Sequence, residues 1–276
     1  MTHPLFDLTD RVALVSGAAS GMGRQISLAL AEVGADLVLA DINEQGMKAT
    51  ASDINELGRR ALPVVCDVSN VEQIRAMYAQ VDQEYGRIDI VANVAGEGVR
   101  NHPLRLQSDE VQKALQDLVV GRYFSCQEAG KRMLAQGRGS IINIVSIAGI
   151  SALGRSHMAY SMAMGGVAQM TRELSTEWAS QGVRVNAIVC AQITNQGLEE
   201  RMAVDPNLRD SYLRGLPIGR LGKPEEIKGL AIFLASDASS FITGALIPLD
   251  GGNLAKNAGG SHPGMPHETV DDTASS

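Results

Sequence analysis

Short, nearly continuous apolar runs alternate along the chain with longer segments whose apolar positions return at helical spacing. The runs are VALVS at 12–16, ADLVLAD at 35–41, ALPVV at 61–65, IDIVAN at 88–93, SIINIV at 140–145, VRVNAIV at 183–189 and ALIPLD at 245–250. Helical periodicity follows the first two runs and is clearest at 70–85, 108–136, 156–180 and 224–236. The last of these opens on Pro224, whose fixed φ and missing N–H suit a helix start. Strict alternation of this kind predicts βαβ units and a parallel sheet, and runs without polar alternation predict strands covered by helices on both faces. The expected fold class is α/β, a single-domain doubly wound (Rossmann) parallel sheet of about seven strands.

Two segments depart from the rhythm. Residues 190–223 form a long, weakly patterned excursion, expected to lie over the ligand crevice as a lid. After Asp250-Gly251-Gly252 the chain turns to Gly, Pro, His, Asp, Thr and Ser, which bury too little apolar area to offset ordering entropy. Residues 1–255 are therefore expected to form one nucleotide-binding domain and 256–276 a flexible tail.

With 276 residues, 45% of them hydrophobic, the chain can bury one large core. Its net charge of −7 argues against nucleic acid and for a small-molecule partner, because phosphate backbones call for a basic stripe. Cys66, Cys126 and Cys190 lie far apart without metal-ligand spacing, and read as small apolar fillers of a protein in a reducing compartment. No segment approaches the roughly 18 apolar residues of a membrane span. A cytoplasmic location is expected.

The first strand runs into Gly17-Ala18-Ala19-Ser20-Gly21-Met22-Gly23 and then a helix. In that setting the glycines serve a tight turn, close approach of backbone N–H groups to a pyrophosphate, and helix-on-strand packing. Asp41 closes the second strand, where a carboxylate accepts both adenine-ribose hydroxyls and repels a 2'-phosphate. Ile42 and Asn43 follow it without a basic residue, so NAD is expected in preference to NADP. Arg24 is the nearby cation that could instead serve a phosphate. Asp67-Val68, at the end of the third strand, is placed to meet the adenine edge.

With Asn93-Val94-Ala95-Gly96, Ser146 in NIVSIAG, Tyr160 and the closing DGG, these motifs fall in one order over residues 8–252 that resembles the short-chain dehydrogenase/reductase family. The resemblance implies an NAD(P)-linked oxidoreductase acting on a carbonyl or alcohol. Ser146 would hydrogen-bond the substrate oxygen and Tyr160 would exchange its proton. It further implies cofactor contacts from Gly17, Ser20, Gly21, Met22, Gly23, Asp41, Asp67, Val68, Asn93, Ala95, Gly96, Tyr160 and Ile193, and a homotetramer paired through the helices at 108–136 and 156–180. No metal is expected.

The sequence departs from the family pattern where the proton relay is built. The lysine expected one helical turn after Tyr160 is Met164, and the relay asparagine, three residues before Gly121, is Leu118. A thioether neither lowers the phenol pKa nor donates to a ribose. An unassisted phenol is ionised in only about one molecule in a thousand at pH 7, a deficit of roughly 4 kcal/mol for chemistry needing the phenolate. Cys190-Ala191 replaces a proline and glycine, and Asn195 a threonine. Three function classes follow: an NAD(H)-linked oxidoreductase using Ser146 and Tyr160, a non-redox lyase, dehydratase or isomerase reusing the crevice, and an impaired NAD-binding pseudoenzyme. Glu97, Arg155 and His157 are the polar groups near the expected substrate mouth, each equally readable as an exposed loop residue. Arg122 reads as an ion-pair partner, and Met158, Met162, Met164 and Met170 as core or pocket filler.

Overall fold

The computed structural model describes residues 3–96, 98 and 100–256. The strands are β1 Val12–Ser16, β2 Asp36–Asp41, β3 Ala61–Val65, β4 Ile90–Asn93, β5 Gly139–Ser146, β6 Val183–Cys190 and β7 Leu246–Leu249. They form one sheet in the order β3-β2-β1-β4-β5-β6-β7, every pairing parallel. The order reverses between β1 and β4, so the crevice of a doubly wound sheet opens at their carboxyl ends.

Side-chain alternation along the strands assigns the two faces. Ala13, Val15, Leu37 and Leu39 pack with Ile26 and Leu30 of α1 (Gly21–Glu32), Met47 and Ile54 of α2 (Glu44–Glu56), and helix α9 (Lys228–Ala235). Val12, Leu14, Val38 and Val91 face α3 (Val71–Tyr85) and α5 (Gly121–Gln136). A third cluster joins Val145, Ala187 and Val189 to α6 (Met158–Trp178). Two-sided burial holds for the central strands but not for the edge strand β3, where Val65 is 56% exposed and Pro63 faces solvent. An edge tolerates proline because that strand side needs no further ladder donor.

Three boundaries differ from the sequence pattern. The fourth strand is bounded at Ile90, although the Asp89 main chain still pairs with Val12 and Ser140 at 2.9 Å; the Asp89 carboxylate accepts the Val12 N–H at 3.0 Å and meets Arg11, Arg87 and Arg138. The segment 108–136 is α4 (Ser108–Leu115), a π-helical turn at Gln116–Val120, and α5. The excursion at 190–223 contains α7 (Gln196–Val204) and α8 (Pro206–Leu213), capped by the side chains of Asn195 and Asp205. Among the described residues no helix is long and apolar enough to cross a membrane. Of the expected 256–276 tail only Lys256 lies within the described residues.

Candidate active site

A cavity of about 640 Å³ opens at the carboxyl ends of β1, β2 and β4, lined by Gly17, Ser20, Asp41, Asp67, Val68, Ala95 and Gly96 among others. Gly17 has φ +71°, and a Cβ there would stand 3.2 Å from the Ala95 nitrogen. At Gly23 a Cβ would lie 2.1 Å from the Gly17 carbonyl oxygen, so only glycine lets α1 pack against the turn. Gly21 takes φ +52° with open space before it. The Asp41 carboxylate accepts the Ala19 N–H at 3.1 Å and the Asn43 N–H at 2.9 Å, tying the end of β2 to the glycine turn. On the far wall, Asp67 accepts both the hydroxyl and the N–H of Ser69, which holds its carboxyl below the usual range. Glycine turn, helix start and flanking carboxylates form a cradle that fits a dinucleotide.

Other sequence candidates stand behind this lining. Met22 packs against the core, with its sulfur 3.9 Å from Cys190 Sγ. The Asn93 amide is committed to the core: Nδ2 donates to Asn143 at 3.0 Å, and Oδ1 accepts from Ser125 at 2.8 Å. Asn143 in turn donates to Thr171 at 3.0 Å, so a buried polar chain pins α5, β4, β5 and α6 together. Ile193 bridges to Gly222 and fastens the start of the lid to its end. Arg24, the candidate phosphate cation, is paired with Asp53.

Ser146 ends β5, where its hydroxyl accepts the Ala148 N–H at 3.1 Å. Tyr160 sits in the first turn of α6, its ring packed so closely on Gly98 that a Cβ there would come within 2.4 Å. Burial raises the Tyr160 phenol pKa, opposed by the Ser146 hydroxyl beside it and by the positive charge of Arg122. Met164 and Leu118 are each 1% exposed and belong to one apolar cluster that Tyr160 borders. The two relay positions are thus filled by packed hydrocarbon. Leu118 lies in the π-helical turn and against Gly96, where a Cβ would approach its Cδ2 to 2.5 Å.

Arg122 is not the ion-pair partner its helix position suggests. It is 5% exposed, and its guanidinium donates to the carbonyls of Ile144, Val94 (3.3 Å) and Ala95 (3.2 Å), with Nε left unpaired. Burial brings its pKa down to about 10. A cation therefore underlies the ends of β4 and β5, contributed by α5 rather than α6. At Gly121, the glycine that locates Leu118 in the sequence, a Cβ would fall 1.8 Å from the Val68 carbonyl, so glycine alone lets α5 meet the Asp67–Val68 wall.

Around the mouth, His157 lies edge-on to Tyr160 with ring centroids 5.9 Å apart, and Arg155 stacks over Tyr212 of α8 at 4.6 Å. The 190–223 segment therefore touches the loop between β5 and α6. Glu97 lies outside the described residues. Met158 and Met162, expected as filler, are 48% and 50% exposed, whereas Met164 is buried. All three cysteines are free and buried, and burial pushes Cys66 up to about 11 and Cys126 and Cys190 up to about 12. A second cavity, of about 540 Å³, lies by Asp89, Ser140 and Arg184 at the amino ends of β4, β5 and β6.

Residues 17–253 match a family model described as enoyl-(acyl carrier protein) reductase. The chain is 36% identical over 251 residues to an NAD-dependent glycerol dehydrogenase of Listeria innocua, covering 91% of this chain and 96% of that protein. It is 37% identical over 252 residues to D-threitol dehydrogenase of Mycolicibacterium smegmatis, covering 91% and 95%. A crystal structure of gluconate 5-dehydrogenase from Burkholderia cenocepacia, in complex with NADP and tartrate, superposes with a TM-score of 0.86 at 30% identity, covering 92% of this chain and 99% of that one.

Proposed function

The chain belongs to the short-chain dehydrogenase/reductase family, and on that premise we propose that it is an NAD(H)-linked oxidoreductase of small alcohols and ketones that works through Ser146 and Tyr160. The observation that carries this reading is the placement of Ser146 at the end of β5 and of Tyr160 in the first turn of α6, its ring against Gly98, which also lines the glycine cradle. Gly17, Ser20 and the start of α1 would hold the pyrophosphate, Asp41 the adenine ribose, and Asp67-Val68 the adenine. The bound nicotinamide supplies or accepts the hydride. Ser146 donates a hydrogen bond to the substrate oxygen, polarising a carbonyl. Tyr160 gives its proton to that oxygen as charge develops there.

Direction follows from the proton. A phenol raised above its ordinary value near 10 is already in the form that carbonyl reduction needs, whereas alcohol oxidation needs the scarce phenolate. Reduction is the favoured direction at neutral pH. NAD(H) is favoured over NADP(H) because Asp41 lines the cavity and Arg24, committed to Asp53, is not free to take a 2'-phosphate. A cytoplasmic homotetramer is part of the same reading, supported by free buried thiols and by exposed Tyr123 and Met162 on α5 and α6.

Loss of nicotinamide absorbance on mixing NADH with a panel of small ketones tests the reading. Turnover that disappears in Tyr160→Phe supports it. Substrate consumption without any change in the nicotinamide selects the non-redox alternative, which the hydrocarbon at positions 118 and 164 favours. Competitive titration should give tighter binding of NADH than NADPH, narrowed by Asp41→Ala; equal affinities would remove Asp41 from the ribose site.

A further inference from the structure

We infer that Arg100, Arg155 and Arg201 form a receptor for a carboxylate at the substrate mouth, so that the oxidoreductase reading, on which this rests, narrows to hydroxy acids and keto acids. The three come from separate parts of the chain. Arg100 precedes Asn101, whose N–H donates to the Ser156 carbonyl at 3.0 Å and which bridges to His157, bringing that loop alongside the start of α6. Arg155 lies in the β5–α6 loop, held over Tyr212 of the lid, and Arg201 lies on α7 of the same lid.

Burial, and after it the charges of Arg100, Arg155 and Arg201, hold the His157 imidazole below the usual range. None is paired with a carboxylate among the described residues. The nearby Glu110 is engaged elsewhere, accepting from the Asn101 amide at 3.0 Å and the Gln107 N–H at 2.8 Å. His157 Nδ1 is buried and has no partner. In a chain of net charge −7, three cations around an imidazole whose Nδ1 lacks a hydrogen bond form a local positive field with no carboxylate paired to them among the described residues.

The surroundings can take such a ligand. A cavity of about 700 Å³ is lined by His102, Ser151, Arg155, His157 and Ser161, next to Tyr160 in sequence and, through His157, against its ring. An acid anchored there by the planar fork of Arg155 presents a carbon a few bonds away to Ser146 and Tyr160. The 190–223 segment supplies both Arg201 and the Tyr212 over which Arg155 stacks, so its place beside the β5–α6 loop sets the charge complement.

The test compares short hydroxy and keto acids with their primary amides, reading kcat/KM for nicotinamide-linked turnover. Acids are expected to be preferred by about tenfold or more, the scale of a charge-assisted hydrogen bond. Arg155→Gln should remove most of that preference. Because this change also frees Tyr212, the exposed pair Arg100→Gln/Arg201→Gln is measured beside it and should lower the preference without loss of thermal stability. Acids and amides turned over alike overturn the carboxylate receptor and leave hydride transfer standing. If no compound is turned over, the function reading fails separately, and calorimetric titration of the NADH complex with the same acids decides the receptor. Binding of acids over amides that is lost in both variants upholds it, and no such difference overturns it.

Discussion

On the proposed reading Tyr160 works with a methionine one turn on, and the buried Arg122 is the cation among the described residues whose charge opposes the rise of its phenol pKa. Replacing Arg122 by Met should raise the Tyr160 pKa further, seen as a later rise of phenolate ultraviolet absorbance relative to a Tyr160→Phe background; an unchanged titration would mean that Arg122 only braces the Val94, Ala95 and Ile144 carbonyls. The sign for catalysis follows. Because the folded phenol titrates above its ordinary value, alcohol oxidation should climb with pH through 9 and beyond, while carbonyl reduction stays flat up to about 10. An oxidation rate level from pH 7 upward would show that another group takes the proton. Met164 sets a second prediction. At 1% exposure among Leu118, Val145 and Val167, a lysine there would bury an unpaired charge, and Met164→Lys should cost about 3 kcal/mol in chemical denaturation. Adding Leu118→Asn should recover part of that loss and raise alcohol oxidation more than the single changes together; strict additivity would mean that no relay can be rebuilt here.

The elements were legible in the sequence to the extent that each buries a periodic face. Strands β1 and β3 fall at their expected residues and the remaining strand boundaries shift by at most a few positions; for the central strands this is because burial on both faces needs continuous hydrocarbon. The start of β4 differs by two positions only, since the Asp89 main chain still pairs with Val12 and Ser140 just before the strand. The π-helical turn was hidden because QDLVV keeps helical periodicity and differs only in which carbonyl each N–H reaches. The lid helices gave little signal because α7 buries only Leu198. The nucleotide cradle was legible from its glycines, and Arg122 was not, since its partners are main-chain carbonyls from distant strands. The glycines also make the element-scale prediction. Gly121→Ala drives a Cβ into the Val68 carbonyl and should destabilise by about 2 kcal/mol or more and weaken dinucleotide binding by displacing Asp67-Val68. Wild-type values for both would mean that α5 can move away freely.

Across the whole molecule, the carboxyl ends of the strands carry the glycine turn, the Asp67 wall and Ser146, and the 190–223 segment brings Tyr212 against Arg155 of the β5–α6 loop. The amino ends carry the Asp89 ion cluster. Exposed Tyr123 on α5 and Met158 and Met162 on α6 lie on the helices that the tetramer reading pairs, so light scattering at micromolar concentration should return a mass near four chains, and a monomer would remove that pairing. The central claim is hydride transfer with Tyr160 as proton donor in a site without the lysine. It is tested most directly with NADH carrying deuterium on the transferable position of the nicotinamide ring, supplied with an accepted keto compound at neutral pH. The account predicts deuterium on the new carbinol carbon and a rate about a hundredfold lower in Tyr160→Phe. Consumption of the substrate with the label retained on the nicotinamide, in protein that still binds NADH, would contradict it.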